Sequence, residues 1–168
     1  MLRAAISRIG WGANSPAEAI YAIARVDAGG QTLDGARTYT LTFPKGQLPP
    51  VDAVLISHDH VDHLDQQTIV ALRDGPAVFV VPLGIGAHLE RWGIPPARIV
   101  ELDWWASAQV GPLTLTATPA RHASGRLSSK RNQTLWAGWS VTGPRHRVWY
   151  SGDTGFHQDL AAIGERLG

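Results

Sequence analysis

Three short apolar runs, separated by helix-like stretches, constrain most tightly what this chain can fold into. Ala53–Ser57 (AVLIS) and Ala77–Val81 (AVFVV) have the length and continuity of buried strands, and Arg98–Leu102 (RIVEL) reads as a third strand. After the first, Asp65 predicts a helix through about Arg73, because its carboxylate can accept the free amide hydrogens of a first turn. A shorter helix is predicted near Ile85–Trp92, ended by Gly93. Downstream the texture changes. Leu113–Thr118 (LTLTAT) alternates apolar residues with threonine, which suits a half-buried antiparallel strand. Thr134–Thr142 and Arg147–Ser151 follow as strands around a Gly143-Pro144 turn, and Phe156–Leu167 reads as an amphipathic helix. Strand–helix alternation followed by consecutive strands specifies a mixed α/β layered domain. Residues 1–46 assign poorly. Ile20–Val26 and Thr38–Phe43 have strand character there, and Pro44–Pro50 reads as a linker into a domain over 47–168.

Composition then removes whole classes of function. With 15 basic and 14 acidic residues the net charge is +1, which gives no support for a nucleic-acid partner. No apolar run approaches the ~20 residues of a membrane span, and Met1–Gly10 has no signal-like hydrophobic region, so a cytoplasmic protein is expected. Cysteine is absent from all 168 residues. Disulfides, thiolate metal sites and cysteine nucleophiles are therefore excluded, and any metal must be held by His, Asp or Glu.

One segment concentrates such ligands. Ser57-His58-Asp59-His60-Val61-Asp62-His63-Leu64-Asp65 follows the first buried strand directly and precedes the first helix. His58 and His60 are two apart, so in extended backbone both rings project to one side. Asp62 and His63 fall where the chain turns, and can face a second point nearby. Imidazole and carboxylate suit zinc, and also iron or manganese. A solvated histidine-rich loop is the plainer reading, but such loops rarely combine this spacing with a preceding core strand. His122 and Asp153 lie at the ends of two later strands, where catalytic residues are commonly displayed. Taken singly, His122 would be an ordinary loop histidine and Asp153 a turn residue beside Gly152 and Gly155. Their joint placement favours ligation.

Together, His58-x-His60-x-Asp62-His63, His122 and Ser151-Gly152-Asp153-Thr154-Gly155 resemble the metallo-β-lactamase-fold hydrolases. Leu48–His58, Val81-Pro82-Leu83-Gly84, Glu101–Trp105 and Asn132–Val141 are similar more specifically to the branch of N-acyl-phosphatidylethanolamine-hydrolysing phospholipases D. The resemblance implies an α/β, αββα sandwich. It implies a first metal held by His58, His60 and His122, a second held by Asp62 and His63, and a bridging Asp153. It further implies a phosphodiesterase using metal-activated water on a small-molecule or phospholipid substrate, with zinc as the expected ion and Asp62 as a catalytic group assisting proton transfer. Family members carry a Gly-His-Ala-Thr-like turn before this motif. They also add strands and a last ligating histidine after the helix matching Phe156–Leu167. The chain is accordingly expected to represent mainly the N-terminal half of the sandwich, and an uncovered sheet would favour a homo-oligomer.

Candidate substrate contacts are Arg126, Asn132 and Trp136. Arginines near His122 could hold a phosphate or simply be solvated, and the tryptophans could line an acyl groove or pack in the core. His88 is expected to pack away from the cluster, and His146 and His157 are the other histidines near it in sequence. A lactonase or other acyl hydrolase on the same ligands, and an inactive metal-binding remnant, are the alternatives to a phosphodiesterase.

Overall fold

The computed structural model describes residues 4–7, 19–24, 41–43, 51–126, 131–144 and 147–168. Its strands are β1 (Ala4–Ser7), β2 (Ala19–Ala24), β3 (Leu41–Phe43), β4 (Ala53–Leu55), β5 (Val78–Pro82), β6 (Ile99–Leu102), β7 (Ser107–Val110), β8 (Leu113–Thr118), β9 (Gly138–Thr142) and β10 (Arg147–Tyr150). The helices are α1 (Gln66–Leu72), α2 (Gly86–Arg91) and α3 (Asp159–Leu167). One sheet has six strands in the order β3-β2-β1-β4-β5-β6, and the other has four in the order β10-β9-β8-β7. In the first, β1, β4, β5 and β6 run parallel, β2 pairs antiparallel with β1, and β3 pairs antiparallel with β2. The second is antiparallel throughout.

The continuous apolar runs are explained by burial on both faces of the first sheet. Val54, Phe79 and Val81 point to a core shared with Leu64, Ile69 of α1 and Leu89 of α2. Their neighbours Ala53, Leu55 and Val80 point the other way, against Leu113, Leu115, Ala117, Trp139 and Val141 of the second sheet. A strand covered on both sides shows no polar alternation. β8 alternates in sequence but is more buried than a half-exposed strand: Thr116 and Thr118 lie on the face away from that core and are buried there, with Thr116 Oγ1 2.8 Å from Ser107 Oγ and Thr118 Oγ1 accepting from Trp149 Nε1 at 3.0 Å. α3 buries Ile163, and its Arg166 guanidinium lies 4.4 Å from the Trp105 ring centroid. Among the described residues, no helix is long and apolar enough to cross a membrane.

Several element boundaries differ from the expected ones. β9 begins at Gly138 rather than Thr134, because the preceding residues bond across the molecule: Leu135 N donates to Leu83 O at 2.8 Å and Ala137 N to Ser57 O at 2.8 Å. α3 begins at Asp159 rather than Phe156. β7 and β1 were not anticipated, β7 being an edge strand with two polar residues in four. The expected strand ends at Val26 and Thr38 and the linker Pro44–Pro50 lie outside the described residues.

Candidate metal centre

Because β8 and β10 both run antiparallel to β9, they end at the same edge of their sheet. The loops leaving those ends meet the loop leaving β4. The β4 loop is fixed first. Ile56 O accepts from the buried indole Nε1 of Trp139 at 3.0 Å, and Ser57 O accepts from Ala137 N. Beyond His60 the chain turns, with His63 N and Leu64 N donating to His60 O at 3.0 and 2.8 Å. Asp65 then caps α1 as expected, its Oδ2 accepting from Thr68 N and Thr68 Oγ1, each at 2.8 Å. The β8 loop is held by Trp136 Nε1, which donates to Ala120 O at 2.8 Å, and by an Arg121–Gly155 bridge in which Gly155 N donates to Arg121 O at 2.9 Å. The β10 loop turns at Gly152, whose φ of +58° favours glycine.

Three imidazoles converge. His58 Nε2 lies 2.9 Å from His60 Nδ1 and 3.1 Å from His122 Nε2, and the third side, His122 Nε2 to His60 Nδ1, is 3.2 Å. Hydrogen bonding among the three cannot satisfy this triangle. Each ring nitrogen is either a donor or an acceptor, so of any three at least two are alike, and that pair repels. If all three present lone pairs to one point, a cation removes the conflict. Ligand atoms ~2.0–2.1 Å from a tetrahedral zinc lie about 3.3 Å apart, so the observed triangle fits such a shell. Ser57 Oγ, 2.9 Å from His58 Nδ1, is placed to fix the tautomer that leaves Nε2 free to ligate.

A second group overlaps the first. His58, His63 and Asp153 bring ligand atoms within 4.8 Å of one another. His63 Nε2 lies 3.2 Å from Asp153 Oδ2 and 3.5 Å from Asp62 Oδ2, with both carboxylates about half exposed. Burial favours the neutral form of two of these imidazoles, His58 and His122. Burial first, and then the neighbouring His63, His122 and His60, together lower the His58 pKa from 6.5 to about 2. Burial and then His60 also lower His122, although Asp153 opposes them. Neutral imidazole is the ligating form.

The three candidate substrate contacts lie beside this cluster, and all have polar atoms bonded within the chain. Arg126 Nη1 donates to Asp59 O at 2.9 Å and Leu64 O at 2.6 Å. Asn132 Oδ1 accepts from Ser124 N at 3.1 Å, and Asn132 holds a left-handed φ of +56°. Trp136 packs edge-on to Trp104 with ring centroids 6.2 Å apart, its indole nitrogen on Ala120 O. His88 is not in either ligand group; its Nε2 lies 3.8 Å from the carboxylate of the buried Asp59. Asp59 is the residue between His58 and His60 in the motif, and that spacing carries no signal of its burial. His157 pairs locally with Asp159 at 3.4 Å, and His146 lies outside the described residues.

Comparison with known proteins shows the family and the fold. The model of the Beta-lactamase superfamily domain matches residues 9–168. An uncharacterized protein of Mycobacterium tuberculosis is 59% identical over 118 residues, covering 70% of this chain and 32% of that protein. N-acyl-phosphatidylethanolamine-hydrolyzing phospholipase D 1 of Caenorhabditis elegans is 35% identical over 131 residues, covering 72% of this chain and 37% of that protein. The chain therefore spans about a third of the length of these curated relatives. The metallo-β-lactamase fold protein YhfI from Bacillus subtilis superposes with a TM-score of 0.58 at 17% identity, covering 96% of this chain and 65% of YhfI. The layered α/β architecture is thus the metallo-β-lactamase fold, and its first sheet takes in β1–β3 from the poorly assigned N-terminal segment. With a family model matched along nearly its whole length, the chain belongs to the Beta-lactamase superfamily domain family.

Proposed function

We propose that this chain carries the metal centre of a metal-dependent hydrolase, and that its reaction is phosphodiester hydrolysis of the phospholipase D type. The observation that carries the reading is the triangle of His58, His60 and His122 nitrogens, 2.9–3.2 Å on each side, which hydrogen bonding alone cannot satisfy. In this reading these three would hold one ion, His63 and Asp62 would hold a second, and Asp153 would be the carboxylate available to both. Zinc is the ion proposed, since three imidazoles with carboxylate match its preferences. A bound divalent cation would lower the pKa of a water and offset charge building on the phosphoryl oxygens.

The chain's own groups do the rest. Ser57 orients the His58 ring through Nδ1. Asp62, half exposed and 3.5 Å from His63, is the group proposed to accept a proton from water. The similarity to a phospholipase D of C. elegans over 72% of this chain supports a phosphodiester, in a small molecule or a phospholipid, as the bond cleaved. The test is metal content of the purified chain, followed by turnover of a phosphodiester reporter and a lactone under the same conditions. Phosphodiester turnover that is lost on chelation and regained with zinc is expected. Lactone turnover alone would assign an acyl hydrolase instead, and absence of bound metal would overturn the reading.

A further inference from the structure

The two loops that bring the first ligand triangle together are cross-linked by groups outside the ligand set. Arg126 lies four positions after His122 and reaches back to the β4 loop. One nitrogen, Nη1, donates to Asp59 O at 2.9 Å and to Leu64 O at 2.6 Å. Those carbonyls bracket the stretch that carries His60, Asp62 and His63. In the opposite direction the buried Asp59 carboxylate accepts from Gly125 N at 2.6 Å. α2 closes the arrangement from behind. Trp92, just past its last turn, lies 5.1 Å from the Arg126 guanidinium, and His88 stacks on Trp92 with centroids 5.8 Å apart while facing Asp59.

We propose that Arg126 and Asp59 form a latch that sets the distance between the His58–His63 loop and the His122 loop, making Arg126 a positioning residue for the metal centre. Three features support this. Charge-assisted hydrogen bonds to carbonyls are short and directional. Both Arg126 bonds end on backbone, so they fix the loop path rather than a side chain. The guanidinium is also flanked by an aromatic face, which restricts its rotamers. Removing such outer support typically weakens metal binding 10- to 100-fold. The inference rests on the reading that the triangle binds metal.

A matched control exists in the same fold. Arg98 also donates to backbone carbonyls, Ala77 O at 2.9 Å, Arg73 O at 2.6 Å and Leu72 O at 3.4 Å, and plays no part in the metal cluster. Zinc affinity of wild type, Arg126→Met, Arg126→Lys and Arg98→Met is measured by competition with a chromogenic chelator. The Co2+ d–d absorption of each reports coordination geometry. Arg126→Met is expected to lose about 10-fold or more in zinc affinity and to shift the Co2+ spectrum. Arg126→Lys, whose ammonium can still reach a carbonyl, should lose about 3- to 10-fold, and it decides the matter if Arg126→Met does not fold. Arg98→Met should lose thermal stability but bind zinc within about twofold of wild type. Wild-type zinc affinity in the Arg126 variants, or an equal loss in Arg98→Met, overturns the latch alone. A wild-type chain that takes up no zinc overturns the metal reading and the latch with it.

Discussion

Replacing Gly152 with alanine should damage the centre without touching a ligand. At φ +58° a residue with a Cβ costs roughly 1–2 kcal/mol. The new methyl would stand 2.8 Å from Ser57 Cβ and 3.2 Å from Ala137 O. Neither can yield easily, because Ala137 N donates to Ser57 O at 2.8 Å and ties the two segments together. Overpacking of this kind costs about 1–3 kcal/mol, so the substitution should destabilise the chain by about 2–5 kcal/mol. Relief requires Ser57 or Gly152 to move, and these adjoin His58 and Asp153, so zinc affinity should fall as well. Chemical denaturation reads the first effect and chelator competition the second. Gly164→Ala provides the internal control: that position lies in α3 with nothing within 4 Å of an added Cβ. It should gain about 0.5–1 kcal/mol through helix propensity and leave zinc binding unchanged. A Gly152→Ala chain with wild-type stability and wild-type zinc affinity would refute the reasoning.

Three further outcomes are expected. His60→Ala, which breaks the triangle of three imidazoles, should abolish most metal binding, whereas His63→Ala should remove only an ion shared with exposed carboxylates; metal-to-protein ratios decide, and equal losses would contradict the two-site reading. Asp65→Ala deletes both bonds to Thr68 and should cost about 0.5–2 kcal/mol in urea unfolding, with less than a tenth of that cost contradicting the capping role. Chelation should lower the melting temperature, since an ion present at a hundred times its Kd adds about 2.7 kcal/mol; an unchanged melting curve would mean that no ion is bound.

Much of this organisation can be read from the residues because local and global demands coincide. Ala53–Leu55 and Val78–Val81 are apolar throughout because both faces are covered, and Asp65 caps the helix that its sequence neighbours predict. The cluster from His58 to His63 is legible for the same reason: its spacing and its position after a core strand lie within a few residues. What was not legible is decided between distant segments. Thr134–Ala137 has strand-like composition, but its amides are taken by Leu83 O and Ser57 O, so the ladder starts only at Gly138. β7 pairs at an edge where Ser107 and Gln109 face solvent, leaving little apolar pattern to detect. Asp59 sits at a position where the motif tolerates any residue, and only the fold shows it buried against Gly125 N and His88.

The wide separation of the ligands along the chain has a consequence for the order of folding events. His122 is 64 positions beyond His58, and Asp153 lies later still, in the loop after β10. Closing a loop of that size gains no compensating contact until the second sheet has docked on the first, because the Ile56 and Ser57 carbonyls are held by Trp139 and Ala137. The cluster is therefore assembled late, as a product of sheet docking, and cannot serve as a nucleus for it. Metal supplied during refolding should accordingly slow unfolding much more than it accelerates folding.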